Sequence, residues 1–183
     1  MKRIVLLSLF VLVLALVGCV EKNVKPVDPN APQFSVSLAD PAWNGKSVPS
    51  GQQCLRFGGK NPMTPALSVK NLPPEANGLI MEYSDRTYSP MDRGGHGKIA
   101  YLAPAGQKDF SVPSIQAQVK TVPEGFVSIS NSKSGGWDTD GAYLPPCSGG
   151  KGNSYVIDVW AVKITGDKVE KIGDKVVVKL GYY

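Results

Sequence analysis

Hydrophobic positions along the chain change character three times. From Ile4 to Val17 they are continuous, broken only by Ser8, and Lys2 and Arg3 stand just ahead of them. From Val20 to Gln33 (VEKNVKPVDPNAPQ) they lose any period among three prolines and several charges. From Phe34 onward apolar and polar residues alternate at period two, the spacing of a strand with one buried face. Alternating or apolar runs predict strands at Phe34–Leu38, Ala66–Leu72, Gly78–Ser84, Lys98–Ala103, Gln116–Val122 and Phe126–Ser130. The strongest run is Ser154–Ile164, where Tyr155, Ile157, Val159 and Ala161 alternate with Val156, Asp158, Trp160 and Val162. Apolar residues on both faces predict a central strand between two covering layers. Thr165-Gly166-Asp167 reads as a turn and Lys175–Leu180 as the last strand. The echo of Gly166-Asp167-Lys168-Val169 in Gly173-Asp174-Lys175-Val176 reads as two turn-to-strand junctions. No helical stripe persists beyond about two turns. The pattern predicts a mainly β protein, an antiparallel β-sandwich with few short helices.

The continuous run is too short to span a bilayer, which needs about 20 residues, and has the proportions of a secretory signal core. It ends in Leu16-Val17-Gly18-Cys19, a lipobox: small residues admit the peptide to a protease, and the Cys19 thiol supplies the atom that carries diacylglycerol. The expected organisation is a lipoprotein signal peptide over 1–18, lipidated Cys19 with a flexible tether over 19–33, and a β-sandwich domain over 34–183. Fully extended, the tether reaches roughly 45 Å. Several acyl chains would hold the chain stably at a membrane of the bacterial cell envelope, facing periplasm or exterior. Val20 lacks the Asp that marks inner-membrane retention, which favours the outer membrane in a Gram-negative cell. An exported compartment is oxidising, so Cys54 and Cys147 are expected to pair as a disulfide. Closing a loop of about 93 residues stabilises by roughly 4 to 5 kcal/mol on the chain-entropy model.

Composition then narrows the chemistry. The chain has 183 residues, with 20 Gly and 15 Pro, as expected of short strands joined by many turns. A single His excludes any site built on two imidazoles, so no metal is expected. Formal charge is +5, and removal of Lys2 and Arg3 with the leader lowers it further, so nucleic acid is not an expected partner. Asp138-Thr139-Asp140-Gly141 has a fragment of calcium-loop spacing without the later bidentate acid. Gly149-Gly150-Lys151-Gly152 lacks the spacing of a phosphate loop. Ser128, Ser130 and Ser132 have no His in a nucleophile motif. An enzyme is not expected, and neither is a cofactor.

One pair stands out. Asp85 ends the strand from Gly78, and His96 follows Arg93-Gly94-Gly95 at the start of the next strand. Neighbouring antiparallel strands bring both side chains to one sheet edge, within hydrogen-bond reach. A carboxylate that orients an imidazole leaves the other nitrogen free for an anion such as phosphate. The alternative on spacing alone is a lone His that caps a loop.

From about Lys46 to Leu180 the chain resembles the phosphatidylethanolamine-binding protein family, in its bacterial branch related to Raf kinase inhibitor protein. Gly45-Lys46-Ser47-Val48-Pro49 through Cys54, and Pro62-Met63-Thr64-Pro65-Ala66-Leu67-Ser68, resemble its opening strand, its Cys and its "SPPLSW" segment. Leu72-Pro73-Pro74-Glu75 resembles the "VPxG" turn. Asp85 falls at the first Asp of "DPDAP" and His96 at the His of "HW". Leu144-Pro145-Pro146-Cys147, with Asn153-Ser154-Tyr155, resembles "GPCPPSGxHRY" leading into the long strand. The family pattern also accounts for Cys54 paired with Cys147.

The departures are specific. "DPDAP" reads Asp85-Arg86-Thr87-Tyr88-Ser89 here, and the aromatics flanking the family's His are Gly95 and Gly97. Asn153 stands for a second pocket His, while its Tyr is kept as Tyr155. Asp28-Pro29-Asn30-Ala31-Pro32 mimics "DPDAP" inside the tether, with no strand before it. The family's helical stretch before the C-terminus shrinks to a few residues around Asp167–Asp174. The resemblance implies a non-enzymatic binding protein in which Asp85, His96 and Tyr155 line a small pocket and Asn153 donates a neutral hydrogen bond. Its ligand would be a small anion or a phospholipid-like headgroup, held more weakly than in the family. The alternative is an envelope module contacting a protein or glycan, with a vestigial pocket. Its surface would be Trp43, Trp137 and the loops Ser132–Gly136 and Ser148–Asn153.

Overall fold

Eight strands carry the domain: β1 (Ser35–Leu38), β2 (Leu67–Lys70), β3 (Gly78–Asp85), β4 (Lys98–Leu102), β5 (Phe110–Val112), β6 (Phe126–Ser130), β7 (Ser154–Thr165) and β8 (Lys168–Tyr182). The structure is a computed structural model, and it describes residues 32–183 apart from 137, 139, 140 and 167. The signal peptide, Cys19, the tether through 31, most of the Asp28–Pro32 mimic and Trp137 therefore lie outside the described residues. No helix among the described residues is long and apolar enough to cross a membrane. Among the described residues, helix is limited to two single 3-10 turns, Leu55–Phe57 and Ser89–Met91.

All strand pairings are antiparallel, in two sheets. One has the order β1-β2-β5 and the other β6-β4-β3-β7-β8. Alternation places Leu79, Met81 and Tyr83 of β3 and Tyr155, Ile157, Val159 and Ala161 of β7 on the inner face of the larger sheet. There they meet Val36, Leu67, Val69, Phe110 and Val112 of the smaller one. That is the core of a β-sandwich, and residues Pro32–Tyr183 form one compact unit around it.

Five expectations are corrected. Gln116–Val122 is not a strand: Gln116 makes only an isolated bridge with Met63. Gln118 sits at φ 55°, which a pleated strand does not allow, while the short β5 beside it takes the pairing with β2. The last strand is longer than Lys175–Leu180, because β8 runs from Lys168 beside β7 for most of its length. Gly173 is therefore no turn. Three residues of β8 oppose Trp160 between the pairs Val159–Val176 and Ala161–Ile172, and Gly173 at φ 64° sits in that bulge.

The long strand β7 lies inside its sheet, but only one face has a second layer. Its other face is covered by a small cluster of Ile80, Ala100 and Val162 with Trp160 and Ile164, and by ion pairs. Buried Asp158 meets Arg86 at 2.6 Å and Lys175 at 3.2 Å, and Glu82 meets Lys98 at 3.3 Å and Lys171 at 3.0 Å. The Lys171 ammonium also lies 3.9 Å from the Trp160 ring centroid. Lysine stems thus cover strand surface that a helix layer would otherwise bury. Finally, Trp43 is no surface anchor. It is buried in the core, where so large an apolar side chain is worth most.

Candidate functional site

Strand β3 sets the position of Asp85, its last residue, directly opposite Tyr155 of β7. Past the end of that pairing, the chain turns on the Asp85 side chain. Its Oδ1 accepts the N–H groups of Thr87 at 2.8 Å and Tyr88 at 3.1 Å, the local turn that aspartate favours. Its Oδ2 accepts from Asn153 Nδ2 at 2.6 Å. Asn153 therefore donates a neutral hydrogen bond, and the acceptor is Asp85. The carboxylate is buried, with three donors to offset its lost hydration.

His96 extends the β3–β4 ladder by one step, donating its N–H to the Tyr83 carbonyl at 3.0 Å. The expected carboxylate partner does not hold its ring. Nδ1 instead lies 2.8 Å from the Leu144 carbonyl oxygen, and the ring meets Tyr155 edge-on at a centroid distance of 5.3 Å. A carbonyl only accepts, so the Leu144 contact assigns the proton to Nδ1 and the lone pair to Nε2. Burial lowers the His96 pKa from 6.5 against the opposing effects of the Leu144 carbonyl and Asp85. The imidazole is thus neutral at pH 7.

Tyr155 is fixed from the other side. Its hydroxyl oxygen accepts the Cys147 N–H at 3.1 Å, and burial, opposed by Ser148 and assisted by Asp85, pushes its pKa up to about 12. Asp85, His96, Asn153 and Tyr155 all line one open cavity of about 610 Å³, within the range of small-molecule sites. The four residues come from the ends of β3, β4 and β7 and from the loop before β7.

The glycines beside His96 have a steric reason. A Cβ on Gly97 would lie 1.9 Å from the Ala142 carbonyl oxygen, and one on Gly95 would lie 2.3 Å from Met91 Cα. Main chain packs closely on both glycines, yet the cavity stays open.

Cys54 and Cys147 form the expected disulfide, with Cα atoms 5.2 Å apart. It joins two segments of the cavity's mouth. Arg56 and Phe57 follow Cys54, Ser148 and Lys151 follow Cys147, and all four line the opening with Thr87 and Tyr88. Ser148 and Lys151 lie in the Ser148–Asn153 loop that the sequence offers as a surface, whereas Arg56 and Phe57 escape sequence reasoning. Asp138, dismissed with its calcium-like neighbours, accepts from Gln118 Nε2 at 3.0 Å and lies 3.3 Å from Cys147 Sγ.

Comparison with known proteins bears on the fold. No protein-family model matches the chain, and no curated protein sequence matches it. Among solved structures, it is similar to Escherichia coli YbcL, described as a new member of the mammalian PEBP family. The TM-score is 0.51 at 19% identity, over 83% of this chain and 98% of that one. A phosphatidylethanolamine-binding protein homologue from Chlamydia trachomatis aligns with a TM-score of 0.45 at 18% identity, over 81% of this chain and 97% of that one. The likeness to YbcL shows the fold: an antiparallel β-sandwich of the phosphatidylethanolamine-binding type.

Proposed function

We propose that the chain is a non-enzymatic, membrane-anchored lipoprotein of the cell envelope that binds a small anionic or phospholipid-headgroup-like ligand in the Asp85–His96 cavity. The observation that carries this reading is the convergence of Asp85, His96, Asn153 and Tyr155 on one open cavity whose rim bears Arg56 and Lys151. Both cysteines are tied in the disulfide, which removes the strongest nucleophile from the site.

The protonation pattern selects the ligand's charge state. Asp85 presents acceptor atoms and neutral His96 presents a lone pair, so a bare dianion meets repulsion at the inner wall. A ligand that carries its own proton, such as a monoanionic phosphate with a P–OH group, donates to that wall while its remaining oxygens face the rim cations. Acidification has the same effect by protonating His96.

The test is native mass spectrometry of residues 32–183 with inorganic phosphate and glycerophosphoethanolamine, over a pH series that descends from neutral to well below the usual histidine range, because burial lowers the His96 pKa. For glycerophosphoethanolamine, whose phosphodiester keeps one negative charge throughout, wild type is expected to bind more tightly on the acid side and His96→Ala to lose that dependence. Equal, weak binding by both proteins at every pH overturns the reading. Incorporation of labelled palmitate into the full chain, lost in Cys19→Ser, checks the anchor.

A further inference from the structure

The two sulfurs of the Cys54–Cys147 disulfide differ in access. Cys54 is fully buried, whereas Cys147 is partly exposed and lines the open cavity with Arg56 and Lys151. Beside them stands a carboxylate. Asp138 Oδ2 lies 3.3 Å from Cys147 Sγ, and an oxygen of Asp138 lies within 4.8 Å of both sulfurs. Buried Gln118, at φ 55°, a backbone conformation uncommon outside glycine, holds the carboxylate there. It donates from Nε2 to Asp138 Oδ1 at 3.0 Å and accepts the Leu55 N–H at 2.9 Å, which ties Asp138 to the residue after Cys54. A disulfide sulfur has no hydrogen to give, so at this contact Oδ2 gives up hydration for no hydrogen bond. Reduction reverses that. A Cys147 thiol donates its S–H to Oδ2, a charge-assisted bond that only the dithiol state makes. Asp138 therefore favours the reduced protein. On the open side, Arg56 and Lys151 offer positive charge to an anionic thiol and offset the negative charge of Asp138 and Asp85.

We propose that Cys54–Cys147 is an exchange-active disulfide, opened at Cys147 by a small carboxylate-bearing thiol that enters through the cavity, with Asp138 poising it toward the dithiol. This goes beyond the headgroup reading and does not depend on it. The thiolate of a first molecule bonds to Cys147 Sγ as the Cys54–Cys147 bond breaks. The electron pair of that bond goes to Cys54 Sγ, which takes a proton from water. A second thiolate then attacks the small thiol's own sulfur in the mixed disulfide. The electron pair released goes to Cys147 Sγ, which takes a proton from water and hydrogen-bonds through it to Asp138 Oδ2. Two small thiols are oxidised to one disulfide, and the protein disulfide is reduced to two thiols. The bond joins the segments that carry Arg56 and Lys151, so its opening uncouples two sides of the cavity's rim.

The experiment equilibrates residues 32–183, a compact unit with its own core, with reduced and oxidised glutathione, quenches with iodoacetamide and reads the species by mass. A cooperative thermal melt first confirms that the fragment and its variants are folded. Wild type is expected to be reduced by glutathione without denaturant. A disulfide that yields only after unfolding in urea is purely structural and overturns the proposal. Asp138→Asn keeps an oxygen to accept from Gln118 and removes the charge beside the sulfur. It is expected to lower the equilibrium constant for reduction about tenfold, a potential about 30 mV more negative, without lowering the melting temperature of the oxidised protein. An unchanged or larger constant overturns the role of Asp138. With oxidised glutathione, Cys54→Ser is expected to form a mixed disulfide at Cys147, and Cys147→Ser to form none at buried Cys54. The reverse pattern overturns entry through the cavity. Arg56→Gln and Lys151→Gln are each expected to slow reduction by glutathione about threefold and to leave reduction by uncharged 2-mercaptoethanol unchanged. Equal effects on both thiols overturn the assignment of a charged one.

Discussion

His96 illustrates how one residue's environment decides its chemistry. In the folded protein it is buried and neutral, with its pKa below 6.5; in the unfolded chain it titrates near that value. Below pH 6.5 the unfolded chain therefore binds a proton that the folded protein refuses. The stability His96 contributes is complete above 6.5 and is lost as pH falls toward its folded pKa. The slope is at most about 1.4 kcal/mol per pH unit. His96→Gln is expected to flatten this part of the curve, measured by urea denaturation at a series of pH values. Position 96 was legible because the Gly-rich run and the following strand mark the sheet edge. Its tautomer was not, since the carbonyl that sets it belongs to Leu144, 48 positions away. The same holds for Asn153: a sequence shows a donor, and only the fold shows that Asp85 receives it.

At the scale of elements, the larger sheet has an inner face that packs and an outer face that is laced with charge. Asp158 on β7 is the most buried acid of that outer face and holds Arg86 and Lys175, which are themselves partly exposed. Asp158→Ala releases two cations that water can still reach, so the cost is the lost charge-assisted bonds, about 2 to 3 kcal/mol, rather than a stranded charge. Chemical denaturation of wild type and variant measures it, and high salt should reduce the difference only in part, because the pair is partly buried. The pattern located β1, β2, β3, β4, β6 and β7, and the second half of β8. It failed at Gln116–Val122, where apolar residues sit in loop that makes one isolated bridge and scattered backbone hydrogen bonds instead of a ladder, and at the three-residue β5, too short to show a period. It also failed at Gly173, since a bulge and a turn use the same glycine chemistry and differ only in what lies opposite.

Across the whole molecule, one covalent bond links distant parts of the chain. Cys54 and Cys147 are separated by 93 positions, and their bond closes most of the domain into a loop. Cys54→Ser with Cys147→Ser is expected to cost roughly 4 to 5 kcal/mol on the chain-entropy model, an upper figure if the unfolded chain keeps structure. The melting temperature of wild type, with and without reductant, set against the double variant checks this. A wild type that melts alike in both conditions would show that the bond contributes little. Because the same bond joins the segments that carry Arg56 and Lys151, its loss should also weaken headgroup binding.

The sequence by itself determined what local periodicity and composition can carry. It showed seven of the eight strands, β8 only in part, the β-sandwich class, the pairing of two cysteines and the placing of Asp85 and His96 at one sheet edge, while Asn153 and Tyr155 came only with the family resemblance. Those follow from side-chain alternation and from chemistry that each residue brings with it. Only the tertiary structure decided which carbonyl accepts from His96 Nδ1, that Asn153 donates to Asp85, and that main chain at Met91 and Ala142 packs against the glycines flanking His96. It alone brought Arg56, Phe57, Tyr88 and Lys151 to the rim of one cavity. These features depend on contacts between residues tens of positions apart, and such contacts exist only once the two sheets have packed.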